Sequence, residues 1–402
     1  MNKLSAFING IFNPANYNLH NLTLVVITLM CIQYIPLETR GGVSPIKVAV
    51  MAIMPFVLLT HLRINKALVI GTIYIAWLFF TAGIINPESF RASTILYAGM
   101  FTITFIVVYT AVWDYAVFTL DNFISFIRWL FFLLVGVLLI QQAFLIVGIK
   151  YFPLINLCQI LNRGIGANSL TFEPSTLGRL LNILYYAILK CYEYRDGGKV
   201  NITNIFKGDL KWVSILFIWA ILTMGSGTAF VAVAVTSLYF MRGWSFLLAL
   251  PIFVSAFFLM GQMNNESFNR ALAASEATLT GDKELVLETD GSAAARIAPM
   301  LNLMSLDLED PLSWTGKGCD STSFSDWIGG RVYPSHINDY GLISYILELI
   351  FIFSCMIQFR SLGTIFLFLG CGGGITSIPY AWGILMIFSC LKYFHDNQYN
   401  ID

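Results

Sequence analysis

Two charged residues, Glu173 and Arg179, lie close together at the start of a long apolar run. Pro174 suits the first turn of a helix, because that position needs no backbone N–H donor. Glu173 is therefore predicted to lie at the positive end of a helix dipole. Arg179 follows five residues after Pro174, about 7.5 Å further along the helix. The pair favours a site that handles charge, although helix capping by Glu173 and snorkelling of Arg179 explain each residue alone.

A histidine, His336, forms a second candidate centre with its neighbours Ser335, Asn338 and Asp339. Histidine transfers protons near neutral pH, so His336 is a candidate general base or acid. The alternative is a histidine that only donates or accepts a hydrogen bond at the rim of the protein, which is the commoner case. Glu348 follows twelve residues later, about 18 Å deeper in a continuous helix, and is expected to need a polar partner there.

Three further arginines lie in or beside these segments. Arg163 begins the polar run that ends at Arg179, and Arg331 begins the run that contains His336. Arg296 lies in the helix-like segment Ser292–Leu306, where a solvated helix face is the favoured interpretation. The small-residue break Thr223–Thr228 predicts either a tight turn or a place where the backbone approaches a ligand.

The composition places these residues in a membrane protein. Hydrophobic residues make up 57% of the chain and charged residues 11%, whereas a soluble domain carries about 25% charged residues. The net charge is zero, so no basic surface indicates nucleic acid as a partner. The four histidines do not cluster and the seven cysteines form no Cys-x-x-Cys pair, so neither a metal site nor a redox motif is indicated.

Apolar runs predict an all-α polytopic membrane protein with about twelve transmembrane helices in a single membrane domain, residues 1–402. The runs are Asn21–Leu37, Pro45–Leu62, Ala67–Ile85, Ala92–Trp113, Ile124–Ile149, Pro174–Lys190, Trp212–Met224, Thr228–Met241, Trp244–Met260, Asn338–Met356, Leu362–Gly372 and Ile378–Phe394.

Lysine and arginine in the short loops set the predicted orientation, because such loops are cytoplasmic when they are basic. Both termini are then predicted to be inside, and two polar segments, 151–173 and 261–335, to be periplasmic loops. Cys158 and Cys319 both fall on the outer side, which leaves a disulfide between them open in an oxidising periplasm. The chemistry of this protein is therefore expected at its outer face.

Taken in order, these segments resemble the Wzy-type polysaccharide polymerases, whose wider class includes the O-antigen ligases and whose fold is similar to the GT-C glycosyltransferases. The resemblance covers roughly residues 160 to 350. Its motifs are Arg-x-x-Gly…Phe-Glu-Pro-Ser at 163–175, Leu-Thr-Met-Gly-Ser-Gly at 222–227, Gly-Ser-x-x-x-Arg at 291–296, Gly-x-Gly at 316–318, and His336 before Asn-Asp-Tyr-Gly in a helix with Glu348.

The resemblance implies a reaction at the periplasmic face of a bacterial inner membrane. The donor would be an oligosaccharide on undecaprenyl pyrophosphate, and the acceptor the next lipid-linked repeat unit, with a Wzz-type chain-length regulator as a partner. Arg163, Arg179, Arg296 and Arg331 would hold the pyrophosphate. His336, with Glu173 as the second choice, would take the hydroxyl proton. Arginine can hold pyrophosphate without a divalent ion, so no metal and no cofactor is expected.

Three other functions stay open at the level of sequence. An O-antigen ligase, which moves the finished glycan to lipid A core, uses the same donor and the same leaving group. A lipid-linked oligosaccharide flippase or transporter belongs to a different class, and it fits less well because no internal repeat is visible and the titratable groups gather at one rim. A purely structural membrane subunit does not explain so many arginines at one face.

Overall fold

The structure is a computed structural model of the chain. It describes residues 17–38, 43–149, 165–241, 298–319, 332–370, 373–375 and 378–398, together with isolated positions between 251 and 326. None of these residues lies in a β-strand, and most lie in helices. The prediction of an all-helical fold is confirmed for this part of the chain.

We label the α-helices α1 to α12; all but α9, which lies in the predicted loop 261–335, overlap a predicted apolar run. Predicted and observed bounds coincide for α4, and each predicted run apart from Trp244–Met260, which lies almost wholly outside the described residues, overlaps a helix. The helices are α1 Leu19–Cys31, α2 Pro45–Thr60, α3 Lys66–Phe80, α4 Ala92–Trp113, α5 Leu120–Ile146, α6 Pro174–Asp196, α7 Leu210–Thr223, α8 Gly227–Ser237, α9 Pro311–Thr315, α10 Ile337–Phe351, α11 Leu362–Gly370 and α12 Pro379–Gln398.

Four helical segments are long and apolar enough to cross a membrane: Lys66–Ile85, Ala92–Trp113, Leu120–Ile146 and Ile337–Met356. Two of them include a π-helical turn, at Thr81–Ile85 and Ile352–Met356. Shorter apolar helices are α1, α2, α7 and α8. These segments support a polytopic membrane protein, while the number of twelve crossings stays a prediction.

Helices α6 and α12 form the buried centre of the bundle and run parallel. Tyr186 packs on Phe388 with ring centroids 6.4 Å apart, and Tyr194 packs on His395 at 6.1 Å. Most residues of both helices are buried. A helix that packs against protein on all sides can carry polar groups that lipid would exclude, which explains how α6 holds Arg179 and Asn182.

Further helices run in the same direction as α6. Gly178 faces Ala229 of α8 and Tyr186 faces Tyr239 just beyond α8, while α12 follows α4 through the Phe101–Trp382 and Trp113–Tyr393 ring contacts. Helix α10 runs the same way as α12, because Ser335 just before it contacts Ile375 ahead of α12, and Cys355 just beyond it contacts Ser389 late in α12. We call the end of the bundle where these helices begin the Pro174 end. The side of a membrane that this end faces stays a prediction.

Candidate functional site

The segment 165–173 is a loop that folds into the bundle just before α6. Ala167, Asn168, Ser169 and Thr171 are all fully buried. The hydroxyl of Ser169 donates to the backbone carbonyl of Leu134, twelve residues before the end of α5. Irregular backbone at this depth is tolerated only when protein surrounds it. Residues 165–173, the described part of the predicted loop 151–173, are therefore packed inside the helix bundle.

Two glutamines hold this buried loop by its backbone. The side chain of Gln141 accepts from the N–H of Ser169 at 2.7 Å and donates to the carbonyl of Ser169 at 3.1 Å. Gln33 donates its own N–H to the carbonyl of Leu170 at 2.7 Å, and its side chain accepts from the N–H of Phe172 at 2.8 Å. Each glutamine thus makes two hydrogen bonds to backbone groups of the buried loop, which would otherwise lack partners. Together they fix the chain that leads into Glu173.

Glu173 and Ser175 flank the start of α6. Glu173 has an extended backbone and Pro174 is the first helical residue, as the sequence predicts. The hydroxyl of Ser175 donates to the Glu173 carboxylate. The Glu173 side chain makes no capping hydrogen bond to the helix, so its position is not explained by capping. A carboxylate here is stabilised by the positive end of the helix dipole.

Arg179 turns back towards the Pro174 end and is half-buried. Its Nε donates to the carbonyl of Ser175 and an Nη donates to Thr176 Oγ1, both at 3.3 Å. The guanidinium lies over the ring of Tyr380, 5.1 Å from the centroid, at the first turn of α12. Arg179 therefore bridges the first turns of the two parallel central helices.

This arrangement is chemically suited to an anion. The first N–H groups of a helix lack intrahelical partners and carry partial positive charge, and α6 and α12 begin side by side around the Arg179 guanidinium. A phosphate or pyrophosphate is the type of group that helix N-termini and arginine bind together. The charge-handling role of Arg179 stays a prediction, for which this geometry is suitable.

The break between α7 and α8 reaches the same level. Gly225 has a left-handed backbone with φ 71°, Ser226 is buried, and Met224 is fully buried. A Cβ on Gly178 would lie 2.5 Å from the Cβ of Ala229 and 3.1 Å from the sulfur of Met224. The tight turn predicted at Thr223–Thr228 is present, and it packs directly against α6 one residue before Arg179.

His336 lies at the start of α10, which is also at the Pro174 end. Its Nδ1 is 3.7 Å from a carboxylate oxygen of Asp339, and its ring packs edge-on against Tyr340. The other carboxylate oxygen of Asp339 accepts from the hydroxyl and the N–H of Ser321, at 2.8 and 3.0 Å. Asp339 is thus fixed by the preceding loop, and its carboxylate lies near the imidazole at a distance too long for a direct hydrogen bond.

The beginning of α10 is not a continuous helix, because Gly341 has φ 79° and ψ 174°. A Cβ on Gly341 would lie 2.1 Å from the carbonyl oxygen of Trp314, and one on Gly316 would lie 2.3 Å from that of Asp339. These two glycines let the chain around α9 pack backbone to backbone against the His336 turn. The Gly-x-Gly at 316–318 therefore positions the histidine loop.

Glu348 lies much closer to the His336 turn than the sequence predicts, and its polar partner is Ser335. The hydroxyl of Ser335, adjacent to His336, lies 2.7 Å from Glu348 Oε2 and 3.1 Å from the carbonyl oxygen of Ile375. The predicted depth of about 18 Å below His336 assumed an unbroken helix, and it is wrong because the chain folds back before Gly341. Ile375, which Ser335 contacts, is five residues from Tyr380, the residue beneath Arg179. The Cα atoms of Ile375 and Tyr380 therefore lie at most about 18 Å apart.

The described residues bring together only part of the predicted site. Glu173 and Arg179 share the first turns of α6, and His336 lies at the same end of the bundle. Arg163, Arg296 and Arg331 lie outside the described residues. In the part of the chain that is described, no group of three His, Cys, Asp or Glu side chains could hold a metal ion. Cys319 is a buried thiol, and Cys158, its predicted disulfide partner, lies outside the described residues.

Several residues of this site were not singled out from the sequence. Tyr380, Gln33 and Gln141 carry no motif, although a glutamine inside an apolar helix is itself a signal of interhelical hydrogen bonding. Lys47 and Glu38 form a buried ion pair at 2.8 Å, and Lys47 also donates to the carbonyl of Ile32 at 2.6 Å.

No protein-family model, curated protein or solved structure matches this chain.

Proposed function

We propose that the chain is a membrane glycosyltransferase that polymerises oligosaccharide repeat units carried on undecaprenyl pyrophosphate. The observation that supports it most is the Arg179 guanidinium, which lies half-buried over Tyr380 where two parallel helices begin. This geometry suits a pyrophosphate that gains negative charge as it leaves. The order of the sequence motifs supports the same class of reaction.

The proposed reaction is a single displacement at a sugar carbon. The hydroxyl oxygen of the acceptor repeat unit forms a bond to the anomeric carbon of the donor. The bond between that carbon and the pyrophosphate oxygen breaks, and its electron pair stays on the leaving undecaprenyl pyrophosphate. The hydroxyl proton passes to the base. Arg179 and the helix N–H groups stabilise the leaving group, because their charge is already oriented towards it.

His336 is the proposed base, since it lies at the Pro174 end and a neutral imidazole accepts a proton without charge repulsion from the pyrophosphate. Glu173 is the second candidate. Its carboxylate accepts from Ser175, and Glu173 lies six residues before Arg179 at the same end of α6, which suits a role in proton transfer beside the leaving group. The predicted cations Arg163, Arg296 and Arg331 would complete the pyrophosphate site.

The setting of this reaction is the bacterial inner membrane, with the Pro174 end facing the periplasm. Both substrates carry a polyprenyl chain, which needs the lipid bilayer beside the site, and a Wzz-type chain-length regulator is the expected protein partner. No metal and no cofactor is assigned, because arginine and helix N–H groups supply the positive charge.

Complementation tests this function in a strain that lacks the gene and whose surface polysaccharide is read as a ladder on a gel. Arg179→Ala should collapse the ladder to a single repeat unit. Arg128→Ala is the matched control, because Arg128 is a partly exposed helix arginine paired with Asp209 at the opposite end of the bundle. Loss of all attached glycan, single units included, would identify a ligase instead. A normal ladder with Arg179→Ala would refute the proposal.

A further inference from the structure

Glu348 is a fully buried carboxyl in the last turn of α10, with 1% of its surface exposed. It takes part in no ion pair among the described residues, and its Oε1 has no hydrogen-bond partner there. Its Oε2 lies 2.7 Å from the hydroxyl of Ser335. Burying an ionised carboxylate without a cation destabilises a fold, so the protonation state and the role of Glu348 need an explanation.

The hydrogen bonds around Ser335 show how the cost is avoided. A serine hydroxyl has one proton to donate, yet Ser335 Oγ lies within hydrogen-bond distance of two acceptors, Glu348 Oε2 and the carbonyl of Ile375. Both contacts are satisfied if the carboxyl of Glu348 carries a proton and donates it to Ser335. Ser335 then donates its own proton to Ile375, and the three groups form one chain.

The neighbouring loop closes tightly around the carboxyl. A Cβ on Gly374 would lie 2.3 Å from Glu348 Oε1 and 2.7 Å from the Cβ of Ser335, so the loop backbone fills the space next to Oε1. The hydroxyl of Tyr345, one turn before Glu348, donates to the carbonyl of Gly373 at 3.1 Å. On the side of Gly374, the space beside Oε1 is therefore occupied by the backbone of this loop.

Ser335 also has an uncommon backbone conformation, with φ 52°. A non-glycine residue in this region is held there by its surroundings. The next residue is His336, so the direction of its imidazole depends on how Ser335 is held. The loop that contains Ile375 leads on to Tyr380 beneath Arg179. Glu348 thus stands at the junction between the histidine turn and the segment that supports the arginine.

We infer that Glu348 acts as a neutral carboxylic acid that positions His336, by holding Ser335 and the 373–375 loop in one hydrogen-bonded chain. This inference rests on the proposed function for its effect on catalysis. Glu348 touches no substrate in this account, so it is a positioning residue. Its role requires a hydrogen-bonding group of the right length and does not require negative charge.

The test compares four variants of the full-length protein in detergent or proteoliposomes. Glu348→Gln keeps the length and the hydrogen bonds, Glu348→Leu removes them, and Ser335→Ala breaks the chain from its other side. Ser344→Ala is the matched control, because Ser344 is equally buried on α10 and its hydroxyl has no partner among the described residues. Turnover of an undecaprenyl-pyrophosphate-linked oligosaccharide gives kcat and KM for each variant.

Glu348→Gln and Ser344→Ala should retain kcat and KM close to the unmodified protein. Glu348→Leu and Ser335→Ala should lower kcat by up to about 10²-fold with little change in KM, as expected when a reacting group is misplaced. Loss of turnover in Glu348→Gln would show that the carboxyl acts through charge or proton transfer and would overturn the inference. So would normal turnover in both Glu348→Leu and Ser335→Ala.

Hydrogen exchange separates the failure of this inference from the failure of the proposed function. In Glu348→Leu and Ser335→Ala, amide exchange should accelerate in peptides that cover residues 335–340 and 373–375, whereas Glu348→Gln should leave it unchanged. This readout needs no substrate. If the unmodified protein forms no glycan but the exchange pattern holds, the positioning role stands and the polymerase assignment falls. If exchange is equal in all variants, the positioning role falls.

Discussion

The guanidinium of Arg179 lies 5.1 Å above the ring of Tyr380, and this contact joins the first turns of two parallel helices. The arginine is held in place from three directions, by Ser175, Thr176 and Tyr380. Because both helix dipoles are positive at this end, the site combines a fixed full charge with two sets of backbone N–H donors. That combination suits the recognition of a pyrophosphate and its stabilisation during departure.

The first prediction concerns the ring beneath Arg179. A cation–π contact contributes roughly 0.5–2 kcal/mol, so Tyr380→Ala should weaken donor binding by about 2- to 30-fold. Tyr380→Phe keeps the ring and should bind the donor almost as well as the unmodified protein. The measurement is the equilibrium binding of undecaprenyl pyrophosphate in detergent. Equal losses in both variants would assign the effect to the hydroxyl and contradict the cation–π account.

The second prediction concerns the close contact between α6 and α8. Gly178→Ala places a Cβ 2.5 Å from that of Ala229, and such overpacking costs typically about 1–3 kcal/mol. Gly136→Ala is the matched control, since Gly136 lies within α5 and nothing stands within 4 Å of its added Cβ. Thermal unfolding in detergent should show a lower midpoint for Gly178→Ala alone. Equal midpoints would mean that α6 and α8 are not packed this closely.

The third prediction concerns the buried ion pair of Lys47 and Glu38, whose side chains are 1% and 4% exposed. Lys47→Met leaves Glu38 buried without its cation and should destabilise the protein by about 3–5 kcal/mol. The double variant Lys47→Met with Glu38→Gln removes both charges and should recover most of that loss. Unfolding in increasing SDS measures the difference.

The pair of Arg195 and Asp196 offers the control for this experiment. It is largely exposed, and exposed ion pairs contribute little to stability. Asp196→Asn should therefore leave the unfolding curve unchanged. If the double variant is as unstable as Lys47→Met, the pair has a role beyond charge balance, and the contact of Lys47 with the carbonyl of Ile32 is the remaining cause.

The sequence predicted the helices well because their main signal is local. The helix Ala92–Trp113 begins and ends where the apolar run does. Pro174 marks the start of α6, because proline lacks the N–H that a first helical residue does not need. These features depend on neighbouring residues, so a single chain carries enough information for them.

The candidate site was predictable only in part, because it depends on contacts between distant segments. The position of Ser335 beside Glu348 depends on the backbone of Gly341, whose φ of 79° interrupts the helix. Nothing in the local pattern says that Gln33 and Gln141 meet at the 168–172 loop. Such pairings are decided by tertiary packing and not by periodicity, which is why the contact of Tyr380 with Arg179 could not be predicted from the sequence.

The fourth prediction separates the two candidate bases. His336→Ala should lower kcat by about 10²–10⁴-fold while donor binding stays nearly intact, as for the loss of a general base. Glu173→Gln keeps the shape and one acceptor for Ser175, so it should lower the rate far less. The measurement is single-turnover glycan transfer with purified protein. If Glu173→Gln abolishes product while His336→Ala retains a near-normal rate, the two roles are reversed.

The most direct measurement of the central claim is polymerisation by purified protein in proteoliposomes, with undecaprenyl-pyrophosphate-linked repeat units as donor and acceptor and with EDTA present. Arg179→Lys keeps the charge but loses the planar fork that matches phosphate oxygens, so it should lower kcat/KM clearly. Arg128→Lys, at the opposite end of the bundle, should match the unmodified protein. Long glycan chains from Arg179→Lys and Arg179→Ala at the unmodified rate would contradict the pyrophosphate site at the starts of α6 and α12.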